Sequence, residues 1–265
     1  MSDKLVTSTR AQPHDFVCLI GGWSHKSISD ALPHLMAIEF GIGYPGTFAK
    51  YRVFKSYAWM HAVYGAQQAK GGLVAADGVW YEAVIPGYFE RERFPFVQQK
   101  QDYCCFVGRL IERKGVQIAV DVCKALGKRL LIAGQGTSPD YGEYLGLIGP
   151  VERGELMANA QACFAPTIYV EPFGNVAIEA MSCGTPVITT DWGAFTETVV
   201  HGKTGFRCRT FQEFIDAVEA APTLDPHAIR EHALSNYSLE ATAHKYDEYF
   251  RRLQTLWGDG WYSRE

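Results

Sequence analysis

From residue 103 onward, apolar residues along this chain alternate between two rhythms. Short, largely apolar runs at 103–107, 129–133, 162–166, 187–189 and 204–208 have the length of buried strands. Between them, apolar residues recur at helical spacing over 113–126, 152–160, from 175 onward, 194–199, 211–220 and 226–234. Fully apolar strands separated by helices call for crossover connections, which give a parallel sheet covered on both faces. The pattern predicts a doubly wound α/β domain.

The first hundred residues carry the same rhythm more weakly. Strands are expected at 16–20, 35–40 and 81–85 and a helix over 51–66, where Tyr57, Trp59 and Tyr64 suit core packing. Residues 88–101 mix charges, Pro95 and three glutamines without a period, as a connector does. The expected partition is therefore an N-terminal lobe over 1–100, a doubly wound lobe over 101–237 and a terminal segment over 238–265. In that last segment Ser238 precedes Leu239, Ala243, Tyr246, Phe250 and Leu253 at helical spacing, and the helix runs into WGDGWY near the end of the sequence. This helix is expected to pack back toward the N-terminal lobe.

At 265 residues the chain is long enough for one large or two smaller domains. Its 25 basic against 29 acidic residues leave no field favouring a polyanion, so nucleic acid is not an expected partner. Seven cysteines, at 18, 104, 105, 123, 163, 183 and 208, lack paired metal-ligand spacing and fit small reduced core residues. The polar first 14 residues hold no signal-peptide core, and no apolar run approaches a membrane span, so a cytoplasmic protein is expected.

Chemistry concentrates in EPFGNVAIEAMSCGTPVITTDWGAFTE, residues 171–197. Glu171 ends a loop after a strand, Phe173-Gly174 makes a tight turn, and Asn175 opens a helix whose first amides suit an anionic or hydroxyl-rich ligand. Glu179, further along that helix, can reach a different part of the same extended ligand; an isolated pair at this spacing reads rather as a solvated or capping carboxylate, and the surrounding sequence reverses that preference. Upstream, the strand at 103–107 runs into Gly108-Arg109 and then Lys114, two cations at the carboxyl end of a parallel strand. An arginine fork and a mobile lysine charge together suit a phosphate-bearing ligand.

The succession FVGRLIERKG, LLIAGQG, LIGPVERGELMANAQACFAPTIYVEPFGNVAIEAMSCGTPVITT and GKTGF resembles the donor lobe of retaining nucleotide-sugar glycosyltransferases of GT-B fold, the family-four-like group that includes sucrose and glycogen synthases. The resemblance covers about residues 103–221. It implies an α/β, GT-B-like protein of two Rossmann-type lobes, and a hexosyltransferase working in the cleft between them. It further implies that Arg109 and Lys114 hold the donor diphosphate, Glu171 faces the sugar hydroxyls and Glu179 takes the ribose hydroxyls. Backbone at Gly108, Gly134, Phe173, Gly174, Asn175 and Val176 would approach the donor, and the loop around Ile148 would lie beside the base. No metal or other cofactor is implied, and no carboxylate is required as nucleophile, since the leaving phosphate is thought to assist deprotonation of the acceptor.

In the first lobe, Gly21-Gly22 after the strand at 16–20 resembles the family's glycine turn near the donor phosphates, or is an ordinary turn. The glycine-rich stretch 41–46 is a ligand loop or a plain connection. His61 and His25 compete as a contact to the transferred sugar. Only 102 residues precede Tyr103, so the N-terminal lobe is reduced, and a homodimer is one way to cover apolar surface left bare. The expected partners are a nucleotide-sugar donor and an acceptor that is a sugar, a lipid-linked sugar or a small molecule. The alternative is a module that binds nucleotide sugars without transferring them.

Overall fold

The computed structural model describes residue 12 and residues 14–71 and 81–257. The polar start of the chain, apart from residues 12 and 14, and the WGDGWY end beyond Trp257 lie outside these. Two compact units are present, Met1–Pro86 with Ala243–Glu265, and Gly87–Thr242.

The first unit holds a parallel sheet of four strands in the order β1-β2-β3-β4. These are β1 (Phe16–Leu19), β2 (Met36–Ile42), β3 (Tyr51–Phe54) and β4 (Ala83–Val84), with helices α1 (Lys26–Ala31) and α2 (Tyr57–Gly71). The expected helix over 51–66 is thus half wrong: its first residues are β3, and the helix starts at Tyr57. Four residues of strand are too few to display a period of two, and the aromatics at 51, 54 and 57 imitate a helical stripe. Tyr57 is also 57% exposed rather than in the core, whereas Trp59 is partly buried and its indole donates to Tyr44 O at 3.3 Å.

Parallel neighbours usually need a crossover of about a dozen residues or more, yet β2 and β3 are joined by the helix-free stretch 43–50. Glu39, fully buried in the middle of β2, anchors that stretch. Its carboxylate accepts from the amides of Phe48 and Ala49, each at 2.8 Å, and from the Tyr44 hydroxyl at 3.3 Å. Three donors satisfy a charge that would otherwise be costly to bury.

The second unit is built on six parallel strands in the order β10-β9-β8-β5-β6-β7. In chain order it runs β5 (Gln101–Val107), α3 (Val116–Leu126), β6 (Leu130–Ala133), β7 (Glu143–Tyr144), α4 (Pro150–Asn159) and β8 (Ala160–Ala165). It continues with α5 (Asn175–Ser182), β9 (Val187–Thr190), α6 (Phe195–Thr198), β10 (Gly205–Cys208), α7 (Phe211–Ala220) and α8 (Pro226–Tyr237). Along β5 the side chains alternate between two cores: Tyr103 and Cys105 join the one with α4, α5 and α8, while Cys104 and Phe106 join the one with α3 and α7. Burial on both faces explains why this strand reads as an unbroken apolar run. Six of the seven cysteines are buried, as expected, but Cys18 on β1 is exposed. The helix expected from 113 begins at Val116, because Gly115 takes a left-handed conformation at φ 70°.

Lys100, just before β5, ties two helices together. Its ammonium donates to Ala158 O at 2.8 Å near the end of α4, to Cys183 O at 3.0 Å just past α5, and to Thr185 Oγ1 at 2.9 Å. A cation at two helix carboxyl ends meets the negative pole of each. Burial nonetheless lowers its pKa to about 8.

After α8, the helix α9 (Leu239–Gln254) carries the chain back into the first unit. There Phe250 packs tilted against Phe16 at 5.0 Å between centroids and Tyr246 meets Phe40 edge-on at 5.3 Å, while Tyr249 donates to Tyr81 O at 2.7 Å. Full burial of a residue such as Leu253 is worth about 1.5–3 kcal/mol, so a four-stranded sheet gains much of its core from this helix.

Candidate functional site

In the six-stranded sheet the chain builds β6 and β7 on one side of β5, then returns to place β8 on the other. The carboxyl ends of β5 and β8 therefore feed loops that diverge, which is the position where open α/β sheets bind ligands. The loop after β5 contains Gly108, Arg109 and Lys114, and the loop after β8 leads through Glu171 to α5.

These loops are fastened to each other before any side chain acts. The Ile168 amide donates to Arg113 O at 3.0 Å, and a Cβ on Gly115 would overlap the Pro166 carbonyl. Lys114 Nζ then meets Glu171 Oε2 at 2.6 Å, with side-chain exposures of 22% and 10%. The Arg113 guanidinium lies 4.5 Å from the Tyr169 ring centroid, and Lys114 Nζ lies 5.1 Å from it. Burial works against the charge on Lys114, but Glu171 and the Tyr169 hydroxyl more than offset it and hold its pKa above the usual lysine value. Arg109 is exposed and has no ion-pair partner among the described residues. One clamped cation and one free cation thus stand at the carboxyl edge of the sheet, able to receive a group with two negative charges.

At the start of α5, Gly174 adopts φ 81° and no side chain caps the helix. A Cβ there would meet the Phe195 ring, so the turn packs too closely for other residues. Asn175 is exposed at this amino end and Val176 is partly buried, whereas the Phe173 side chain is core, packed on Tyr237 at 6.0 Å between centroids. Glu171 is positioned from behind as well, its carbonyl accepting from the Ala194 amide at 3.0 Å.

Glu179 lies on α5 among apolar neighbours, and burial pushes its carboxyl up to about 7 against the opposing pull of Arg153. Arg153 Nη2 donates to Glu179 Oε1 at 3.2 Å from α4. Sequence patterning did not single out Arg153. It is 26 residues from Glu179, and only the packing of α4 on α5 joins them.

Other predicted positions are engaged in the scaffold. The Gly108 amide donates to Ala133 O at 2.9 Å and the Gly134 amide to Gly146 O at 2.8 Å, so both are used in strand exits. Gly134, at φ 143°, sits directly over the Gly108 carbonyl, which joins the ends of β5 and β6. Ile148 packs on the core before α4, next to Leu147, which is 82% exposed.

Gly21, Gly22, His25 and His61 lie in the first unit. Gly22 adopts φ 55° beneath the Tyr44 ring, and the His25 imidazole covers Gly21 so closely that a Cβ would stand 2.6 Å from it. His61 is exposed on α2, 6.4 Å from the Tyr57 ring. The structure thus brings His25, not His61, to the glycine turn. No helix among the described residues is long and apolar enough to cross a membrane, and no group of three or more His, Cys, Asp or Glu among them is placed to hold a metal ion.

Residues 101–221 match the family described as glycosyl transferases group 1. The glycogen synthase of Mycobacterium tuberculosis is 33% identical over 147 residues, covering 47% of this chain and 35% of that protein. The chain spans about a third of the length of this and other curated relatives that it matches. Among solved structures, AviGT4, a glycosyltransferase involved in avilamycin A biosynthesis, superimposes with a TM-score of 0.71 at 22% identity, over 96% of this chain and 79% of its own. Anabaena Alr3699/HepE in complex with UDP and glucose gives 0.73 at 16% identity, over 95% and 81%. The α/β architecture of two parallel sheets is that of these GT-B proteins.

Proposed function

We propose that this chain, whose residues 101–221 belong to the group 1 glycosyl transferases, moves a sugar from a nucleoside-diphosphate sugar to an acceptor with retention of anomeric configuration. The observation that carries the reading is the pairing of Lys114 with Glu171 at 2.6 Å beside the unpaired Arg109, at the switch point of the sheet and near an uncapped helix. In this reading the donor diphosphate replaces part of the hold of Glu171 on Lys114, and Arg109 takes the second phosphate. Two cations and the first amides of α5 neutralise charge on the departing nucleotide, so the reaction needs no metal. Glu171, freed from full engagement with Lys114, accepts from sugar hydroxyls, and Glu179 accepts from the ribose. The base lies by Ile148. The acceptor proton leaves on the face of the departing phosphate, and no carboxylate serves as nucleophile.

UDP is the first nucleotide to try, because it is bound in the HepE structure. The expected result in excess chelator is a raised melting temperature with one of UDP, GDP or ADP and release of that nucleotide from its sugar on addition of an acceptor. Absence of any shift would sink the reading.

A second reading, a module that binds the donor without transfer, draws support from the reduced first sheet, in which β4 has two residues. It predicts the same shift with no sugar transferred. Pairing of two copies and a sugar, lipid-linked sugar or small-molecule acceptor belong to the first reading; cytoplasmic placement belongs to both.

A further inference from the structure

Trp23 follows the glycine turn at the end of β1 and is 59% exposed, yet its indole is seated. Gly46 lies against the pyrrole part of the ring: a Cβ there would stand 2.7 Å from Cδ1 and 3.0 Å from Nε1. Gly46 does not have the positive φ that demands glycine, so its backbone would accept other residues and only the indole calls for a missing side chain. The Phe48 ring packs tilted against Trp23, 5.6 Å between centroids. Phe48 is fixed in turn, its amide donating at 2.8 Å to the buried Glu39 carboxylate. A ring that is already ordered and still faces solvent suits a ligand, because little side-chain freedom remains to be lost on binding.

The surroundings define the class of that ligand. Open α/β sheets take ligands beyond the carboxyl ends of their strands, and Trp23 stands just past that end of β1. Polar groups beside it are spent within the chain: Lys26 Nζ meets Asp30 at 2.6 Å, and the Ser24 hydroxyl donates to Gly21 O at 2.6 Å. No unpaired charge stands there to attract an anion. Ile20 is the one large aliphatic side chain exposed in this unit among the described residues, so no surface for an acyl chain is formed. A neutral pyranose meets these terms, since the C–H bonds of one face lie against the electron-rich ring while its hydroxyls stay in water.

We propose that the Trp23 indole, held by Gly46 and Phe48, is a stacking platform for a neutral sugar ring of the acceptor. This rests on the transferase reading, in which the diphosphate, sugar and ribose of the donor all engage residues of the second unit and leave the acceptor to the first. Among the acceptors that reading allows, the platform selects one that presents a sugar ring.

The test is saturation-transfer NMR with the methyl glycosides of glucose, mannose, galactose and N-acetylglucosamine on the wild type, Trp23→Ala, Trp23→Phe and Gly46→Ala. The rise in melting temperature given by UDP, GDP or ADP is measured alongside. The wild type is expected to bind at least one glycoside, with saturation strongest on the ring hydrogens of one face. Trp23→Ala should weaken that binding by about tenfold and Trp23→Phe by less. Gly46→Ala, which unseats the indole without removing it, should also weaken it, and all three variants should keep the nucleotide shift. Binding of no glycoside by the wild type, or equal binding by Trp23→Ala, overturns the platform and leaves the donor reading standing. Loss of the nucleotide shift in a folded Trp23→Ala puts the ring on the donor and overturns its assignment to the acceptor. Glycoside binding by a wild type that takes no nucleoside diphosphate overturns the donor reading and the acceptor role with it, while the platform stands.

Discussion

Lys114→Ala is expected to lower kcat/KM for sugar transfer by about a hundredfold or more, the loss typical of removing one preorganised electrostatic group from a transition state. The variant does two things at once, because Glu171 accepts the Lys114 ammonium at 2.6 Å and is itself only 7% exposed. Removing the lysine leaves a buried carboxylate without its cation, and stability falls along with activity. The double variant Lys114→Met/Glu171→Gln separates the two effects: it should regain most of the melting temperature and none of the transfer. Arg109→Ala provides the complementary case, since Arg109 is exposed and without an ion pair. It should lose transfer to a similar extent with the melting temperature unchanged. Steady-state kinetics on the three variants, with thermal unfolding alongside, decide the matter. Transfer by Lys114→Ala within threefold of the wild type would remove the two-cation account.

The second large effect is on the scaffold. Gly115→Ala should cost about 4 kcal/mol and lower the melting temperature by about 8–16 °C, because the new methyl would occupy the space of the Pro166 carbonyl at a residue already at φ 70°. The Pro166 carbonyl lies where β8 ends, and the neighbouring Ile168 amide is bonded to Arg113 O, so the strain falls on the seam that brings Lys114 to Glu171. Gly127→Ala is the matched control. Gly127 has φ 62°, yet its added Cβ meets nothing within 4 Å, so only the left-handed penalty of about 1–2 kcal/mol applies. Equal losses for the two variants would show that the approach to Pro166 relaxes at no cost.

The second unit was legible in the sequence wherever burial was two-sided. The run 103–107 lies within β5, and the motif residues 108–114 and 171–174 fall on the loops that follow β5 and β8, with 175–179 opening α5. The first unit was less so. β3 is four residues long, and its aromatic ends imitate a helix; in the second unit the same shortness hides β7, which with two residues carries no period at all. The Lys114–Glu171 pair spans 57 residues and the Arg153–Glu179 pair 26, and no local pattern announces either. Motif resemblance supplied Lys114, Glu171 and Glu179 one by one. It had nothing to say about Arg153, a surface-type residue on an amphipathic helix until α5 packs beside it. The glycines at 108 and 134 illustrate the reverse: residue type pointed to a ligand, whereas their amides are already used between strands.

Lys100 has a consequence for how this unit opens. All three N–H bonds of its ammonium are taken, by Ala158 O, Cys183 O and Thr185 Oγ1. An amine attacks an acylating reagent only through a free lone pair, so Lys100 reacts once it has shed both its proton and its three acceptors. Those acceptors stand at the ends of α4 and α5, the helices that carry Arg153 and Glu179. The rate at which Lys100 is acylated under native conditions is therefore a clock for the parting of these two helices, readable by mass spectrometry at one residue, and a bound nucleotide that holds them together would slow it.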